Sequence, residues 1–187
     1  AFVLVPPLAR DLGLSVVETS SIFAVSAIAW ALTSASWGRA SDKYGRRNIA
    51  TIGLIGYSIS IIALITPLFL VEKNVLDFVY LLPLLVMGRL INGLIGSATR
   101  PAAFAYIADI TDRSKRTKKF ARLESSFLVG TIMGPMIGGF LFLYSKMLPF
   151  YLFAFCGGIA ALGIFLSFPN ISPKRSLEKI KSKLSKS

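Results

Sequence analysis

Long stretches of this chain carry no Asp, Glu, Lys or Arg, among them Thr19 to Trp37, Ile49 to Val71 and Met147 to Asn170. A helix needs about 20 predominantly apolar residues to cross roughly 30 Å of hydrocarbon. Each stretch meets that length. A spanning segment must satisfy its own backbone, which leaves the α-helix as the economical solution for runs this long. Further apolar runs begin at Phe78 and near Phe120 and carry a few polar residues. Charged residues make up 16% of the chain against 54% hydrophobic, whereas soluble domains carry about 25% charged residues. The chain therefore reads as all-α, a polytopic membrane helix bundle. Its complete spans fall at about 19–38, 48–70, 78–108, 120–143 and 148–168.

The net charge of +12 would suit nucleic acid if it were gathered in one patch. It is dispersed over alternate connectors instead. Arg39, Lys43, Arg46 and Arg47 follow the first complete span. Arg113, Lys115, Arg116, Lys118, Lys119 and Arg122 follow the third, and Lys174, Arg175, Lys179, Lys181, Lys183 and Lys186 follow the last. The intervening connectors hold only Arg10, Lys73 and Lys146. Basic residues on alternate connectors are the positive-inside pattern. It places the Gly38 and Asp112 connectors and the C-terminal segment in the cytoplasm, makes the lipid bilayer the first partner, and excludes nucleic acid.

Residues 1–8 are apolar but reach only about 12 Å as a helix. They have neither the basic start nor the cleavage site of a secretory signal, and read as the outer end of a partial first span. Residues 1–168 then form one transmembrane half-bundle. Residues 169–187 form a basic cytoplasmic segment of the kind that joins two halves of a larger protein. Pro169 and Pro173 stop the last helix. Leu177, Ile180 and Leu184 recur at helical spacing among lysines, which fits either a helix on the anionic inner leaflet or a solvated linker. The single cysteine, Cys156, lies in an apolar run and is expected to be buried as a small hydrophobe. There is no histidine, so a proton relay must use carboxylates. No nucleophile–base pair, metal-ligand cluster or phosphate loop is present, so the chain does not read as an enzyme.

Four groups of residues stand out from this apolar background. The first is the connector from Gly38 to Arg47, Gly-Arg-Ala-Ser-Asp-Lys-Tyr-Gly-Arg-Arg. It reads as a short, charge-dense loop. Gly38 and Gly45 permit close backbone approach, Asp42 opposes a helix end, and Arg46 and Arg47 pair with carboxylates or fix the helix at the interface. The second lies in the span that begins at Phe78 and comprises Arg89, Asn92, Gly93, Gly96 and Arg100. An arginine in hydrocarbon is costly and must face a cavity or a partner. The two arginines are eleven residues apart, near three turns, and read as one polar stripe along a water-filled cavity. Structural pairing of Arg89 and snorkelling of Arg100 are the alternatives. The third is Gly130, Gly134, Pro135, Gly138 and Gly139, a flat glycine seam with a proline that bends the helix. The fourth is Asp109, which either pairs with Arg113 one turn on or meets Arg46 as a latch. Glu124, about one turn into the next span, fits interfacial exposure, a basic neighbour or the cavity.

These motifs, in this order, resemble the N-terminal half of a major facilitator superfamily transporter. The glycine–proline string is similar to the signature of that family's drug/proton antiporters. The run Ala105-Tyr106-Ile107-Ala108-Asp109-Ile110-Thr111 resembles tetracycline-type and multidrug exporters. The resemblance implies a fold of six spans per half and a C-terminal six-helix half as partner. It also implies export of a small amphiphilic substrate by alternating access, with protons as the counter-ion and the proton gradient, not a cofactor, as the energy source. It assigns gating to Gly38, Asp42, Gly45, Arg46, Arg47 and Asp109. It assigns proton coupling to Arg89, which cannot itself give up a proton and would act on a carboxylate elsewhere. It assigns packing against the other half to the seam from Gly130 to Gly139. The family usually has glutamine where Asn92 stands and glycine where Ile95 stands, and Arg100 has no counterpart in its pattern. A carrier of anionic solutes, using Arg89 and Arg100, and a non-transporting half-protein that needs a partner are the competing functions. A bacterial inner membrane is the expected location.

Overall fold

The structure, a computed structural model, describes residues 2–172. The apolar tail positions Leu177, Ile180 and Leu184 and the basic residues from Lys174 onward lie outside the described residues. After a single 3₁₀ turn at Phe2–Leu4, seven α-helices follow: α1 (Val5–Asp11), α2 (Val16–Tyr44), α3 (Arg46–Glu72), α4 (Leu81–Leu94), α5 (Thr99–Ile110), α6 (Arg116–Phe142) and α7 (Leu148–Ser167). Five helical stretches are long and apolar enough to cross a membrane: α2, α3, the broken stretch Phe78–Ile110 that contains α4 and α5, Arg113–Phe142, and α7.

Residues Ala9 to Asp11, read as connector from the sequence, continue the helix begun at Val5. Prolines at its first positions suit a helix start, where their missing N–H groups would be unpaired anyway. Val5, Leu8 and Ala9 are buried against the bundle. A reciprocal cap then opens α2: Glu18 N–H donates to Ser15 Oγ at 3.2 Å, and Ser15 N–H donates to Glu18 Oε2 at 2.8 Å. This satisfies two of the donors that a helix start leaves over.

The centre of the bundle is α3, which packs on α2, α4, α5 and α7. Glycines allow that proximity. A Cβ on Gly53 would stand 2.5 Å from Thr99 N, one on Gly56 would stand 2.4 Å from Ile95 Cγ2, and one on Gly157 of α7 would stand 2.5 Å from Ser58 Oγ. The larger core gathers Val5, Leu8, Ile22, Ile61, Leu64, Ile65, Leu68, Leu81, Leu85 and Phe150 toward the end that carries Lys146. A smaller one, Ile49, Ala50, Ala98 and Ala102, lies toward Arg46. By contrast α6 buries one residue, Gly138, along its described length. Val129, Ile132, Met133, Met136 and Phe140 are exposed on it. Cys156 is exposed on α7, contrary to the expectation of burial: α7 meets α3 through Ala154, Gly157 and Ala161, and Cys156 lies off that face.

Candidate functional site

The charged connector is not a loop. Helix α2 continues through Gly38, Asp42 and Lys43 to Tyr44, and α3 begins at Arg46, which leaves Gly45 alone between them. Residues 39 to 44 have no helix breaker, so the turn falls at the one residue that can take it. Gly45 sits at φ 100° and ψ 140°, a conformation closed to side chains with a Cβ. Gly38 is different: a Cβ there would meet nothing within 4 Å among the described residues, so the expected close approach is absent.

This tight corner puts Asp42 and Arg46 one turn of chain apart and aims both at the end of α5. Arg46 is buried. Its Nη2 lies 2.5 Å from Asp42 Oδ1, its Nε donates to Asp109 Oδ2 at 2.9 Å, and its Nη1 donates to Ser41 Oγ at 2.6 Å. One guanidinium thus holds two carboxylates from different helices, with its planar fork matched to several acceptors at once. The pairing of Asp109 with Arg113 does not form. Helix α5 ends at Ile110, and Arg113 stands in a separate 3₁₀ turn.

The chain leaving α7 closes over the same corner. Arg46 N–H donates to Ile171 O at 2.8 Å. Ser172 Oγ lies 2.9 Å from both Asp42 O and Lys43 O, and Asn170 Nδ2 donates to Tyr44 O at 3.4 Å. The last carbonyls of α2 therefore receive caps from a distant segment rather than from their own helix. Arg47 points the other way, donating to Phe165 O at 3.2 Å and Phe168 O at 3.3 Å with its guanidinium 4.6 Å from the Phe165 ring. A recess of about 170 Å³ lies beside it, lined by Ala50, Ala103, Tyr106, Ile107 and Phe168 among others.

The stripe from Arg89 to Arg100 is interrupted. Helix α4 ends at Leu94, a 3₁₀ turn covers Gly96–Ala98, and α5 starts at Thr99. The two arginines therefore lie in different environments. Arg89 is buried, with its guanidinium 5.0 Å from the Phe23 ring. Asn92 and Gly93 are buried with it. A Cβ on Gly93 would stand 2.6 Å from Ser26 O, and one on Gly96 would stand 2.7 Å from Asn92 Oδ1. Both glycines serve close packing and not an open cavity wall. Arg100 is half exposed and its Nη2 pairs with Glu124 of α6 at 2.6 Å. Of the readings open to Glu124, the basic neighbour is the one observed.

A row of side chains on α2 meets the interrupted span. Ser26 Oγ donates to Arg89 O at 2.9 Å, Thr33 Oγ1 lies 3.0 Å from Gly93 O and 2.9 Å from Ser97 Oγ, and Trp37 Nε1 donates to Leu94 O at 2.6 Å. From the α3 side Ser60 Oγ donates to Gly88 O at 2.9 Å. These contacts supply donors to carbonyls around a helix interruption in an apolar setting. Sequence reading passed over them because Ser, Thr and Trp in an apolar run raise no periodic or charge signal. The spacing of Ser26, Thr33 and Trp37 on one helical face was the available clue.

The glycine seam lies in the open. Gly130, Gly134 and Gly139 would each accept a Cβ with nothing within 4 Å, while Gly138 packs on Leu4 and Phe153. Helix α6 runs on through Pro135. Among the described residues no group of His, Cys, Asp or Glu could hold a metal ion.

A bundle of membrane-length helices, cornered by an arginine-bridged turn and carrying an open glycine–proline helix, defines a multi-pass integral membrane protein. The chain belongs to the Major Facilitator Superfamily, whose family model matches residues 1–186. It is 30% identical over 174 residues to the Quinolone resistance protein NorA of Staphylococcus aureus, covering 92% of this chain and 41% of that protein. It is 36% identical over 135 residues to the Tetracycline resistance protein, class B, of Escherichia coli, covering 72% of this chain and 30% of that protein. The chain thus spans well under half the length of these curated relatives.

Proposed function

We propose that this chain is the N-terminal half of a secondary transporter that exports small amphiphilic compounds by alternating access, driven by exchange for protons. The family membership and the resistance proteins among its relatives support the class. The observation that carries the mechanism is the bridge from Arg46 to Asp42 and Asp109. It ties the α2–α3 corner to the far end of α5 through a few polar contacts, which form or break as a unit. Such a contact set can bias two conformations that differ by a few kcal/mol. The basic connectors support a cytoplasmic position for this end, and the bacterial relatives support a bacterial inner membrane as the location. The open seam on α6 supports a second six-helix half as its cover. Arg89, held away from water beside Phe23, fits a cation that tunes a carboxylate without releasing a proton.

The test is substrate efflux from the full-length protein in everted vesicles, with proton movement followed by a pH-sensitive dye. Asp42→Asn and Arg89→Ala are each expected to abolish proton-driven efflux while membrane insertion persists. Undiminished efflux in either variant would overturn the assignment for that residue. An anion carrier using both arginines loses its main support, because Arg100 is neutralised by Glu124.

A further inference from the structure

Helices α5 and α7 both pack on α3, and a recess of about 170 Å³ lies between them. Ala50 of α3, Ala103 and Ile107 of α5, and Ile164 and Phe168 at the end of α7 give it an apolar lining. The Tyr106 and Phe168 rings meet edge-on beside it, with centroids 5.6 Å apart. An apolar cavity of about 150 Å³ stays dry and is large enough for a benzene ring. Ala50 lies four residues past the start of α3, about 6 Å along the axis, at the edge of the uncharged stretch that begins at Ile49. The recess therefore sits where lipid headgroups give way to acyl chains. Two arginines stand at its rim. Arg46 is committed to Asp42 and Asp109. Arg47 forms no ion pair among the described residues. Its acceptors are the Phe165 and Phe168 carbonyls at 3.2 and 3.3 Å and Asn48 Oδ1 at 3.4 Å. All are neutral, and all are longer than the roughly 2.7–2.9 Å of a charge-assisted bond. The end of α7 adds only about half a negative charge, so the guanidinium lacks a full counter-charge.

We infer that the recess and Arg47 form a binding site for one anionic phospholipid, with its phosphate on the Arg47 guanidinium and the first part of an acyl chain between α5 and α7. The inference rests on the membrane spans and goes beyond the transport reading. A cation beside an apolar slot matches a phosphate and a hydrocarbon chain joined in one molecule. The planar guanidinium can take a phosphate in bidentate fashion, with bonds shorter than those it makes to the carbonyls. Arg47 also lies at the end that carries the basic connectors, toward the leaflet where anionic lipids concentrate. Other occupants fit less well. A helix is about 10 Å across with its side chains, too broad for a slot of this size, whereas an acyl chain is slender. Residues 173–187 carry six Lys and Arg against the single acid Glu178, and would bring like charge to Arg47.

The test measures lipid retention by the full-length protein in native mass spectrometry, with phosphatidylglycerol and phosphatidylcholine of identical chains. A diazirine in one acyl chain of the phosphatidylglycerol marks where it binds. The wild type is expected to favour phosphatidylglycerol by about five- to tenfold, the range for a partly solvated ion pair. Its photolabel should fall on peptides that contain residues 103–107 and 164–168. Arg47→Gln should abolish the preference, and Arg47→Lys should keep most of it. Ala103→Trp fills the recess and leaves Arg47 in place, and should cut labelling of those peptides several-fold. Equal retention of the two lipids by the wild type overturns the inference, as does a preference that survives Arg47→Gln. Label confined to other helices, or unaltered by Ala103→Trp, shows lipid held elsewhere and overturns it too. Efflux in vesicles is scored separately. Its absence alongside selective lipid retention would count against the transport reading and leave the lipid site standing.

Discussion

Gly45 bears two constraints at once. Its backbone conformation admits few residues other than glycine, and a Cβ there would collide with the Asn170 side chain. Gly45→Ala is expected to destabilise the fold by about 1–3 kcal/mol, read as a lowered unfolding temperature in detergent. The neighbouring bridge is asymmetric. Asp109→Asn leaves Arg46 with Asp42, and is expected to cost about 1 kcal/mol. Arg46→Ala leaves two carboxylates facing the same space and costs more, about 2–3 kcal/mol after allowing for their partial exposure. The same unfolding measurement ranks the two variants, and an equal cost would show that the carboxylates do not share the guanidinium. The resemblance grouped Asp42, Arg46 and Asp109, while spacing alone left Asp109 between Arg113 and Arg46. Neither could show that Arg100 had a partner, since Glu124 is twenty-four residues away and in another helix.

At the scale of the elements, the long spans were readable from charge alone, because a chain in lipid must stay helical and uncharged over a fixed length. Interruptions were less readable. The span from Phe78 to Ile110 breaks after Leu94, just before Pro101 in the first turn of α5, which has no N–H to give the Ser97 carbonyl. Contacts from other helices hold the break as well: Ile95 against Gly56, Thr99 against Gly53, and Trp37 on the Leu94 carbonyl. The corner after Tyr44 was misplaced for the converse reason, since a dense run of charges resembles a loop but sits comfortably on a helix end. Trp37→Phe keeps the ring and removes the 2.6 Å donor. It is expected to cost about 1–2 kcal/mol and to speed amide exchange in the 95–99 segment, measured by hydrogen–deuterium exchange mass spectrometry. Unchanged exchange there would show that the interruption stands without the indole.

For the whole molecule, the described residues bury their glycines unevenly. Gly53 and Gly56 of α3, Gly88 and Gly93 of α4 and Gly157 of α7 are crowded by neighbours, whereas Gly130, Gly134 and Gly139 on α6 meet none, and neither do Gly158 and Gly163 on α7. Gly134→Leu is therefore expected to leave this half's stability within about 0.5 kcal/mol and yet to disable transport by the full-length protein. Unfolding of the half and efflux by the whole separate the two effects. Parallel losses would place the seam inside this bundle after all. The spacing marked a seam for another helix and the resemblance assigned it to the other half; among the described residues nothing packs against Gly130, Gly134 or Gly139. One consequence concerns the polypeptide that leaves α7. Ile171 and Ser172 are moored on the α2–α3 corner itself. The exit of α7 and the α2–α3 corner therefore share backbone contacts, so any shift of the Arg46 amide or the Asp42 carbonyl is felt at once by Ile171 and Ser172.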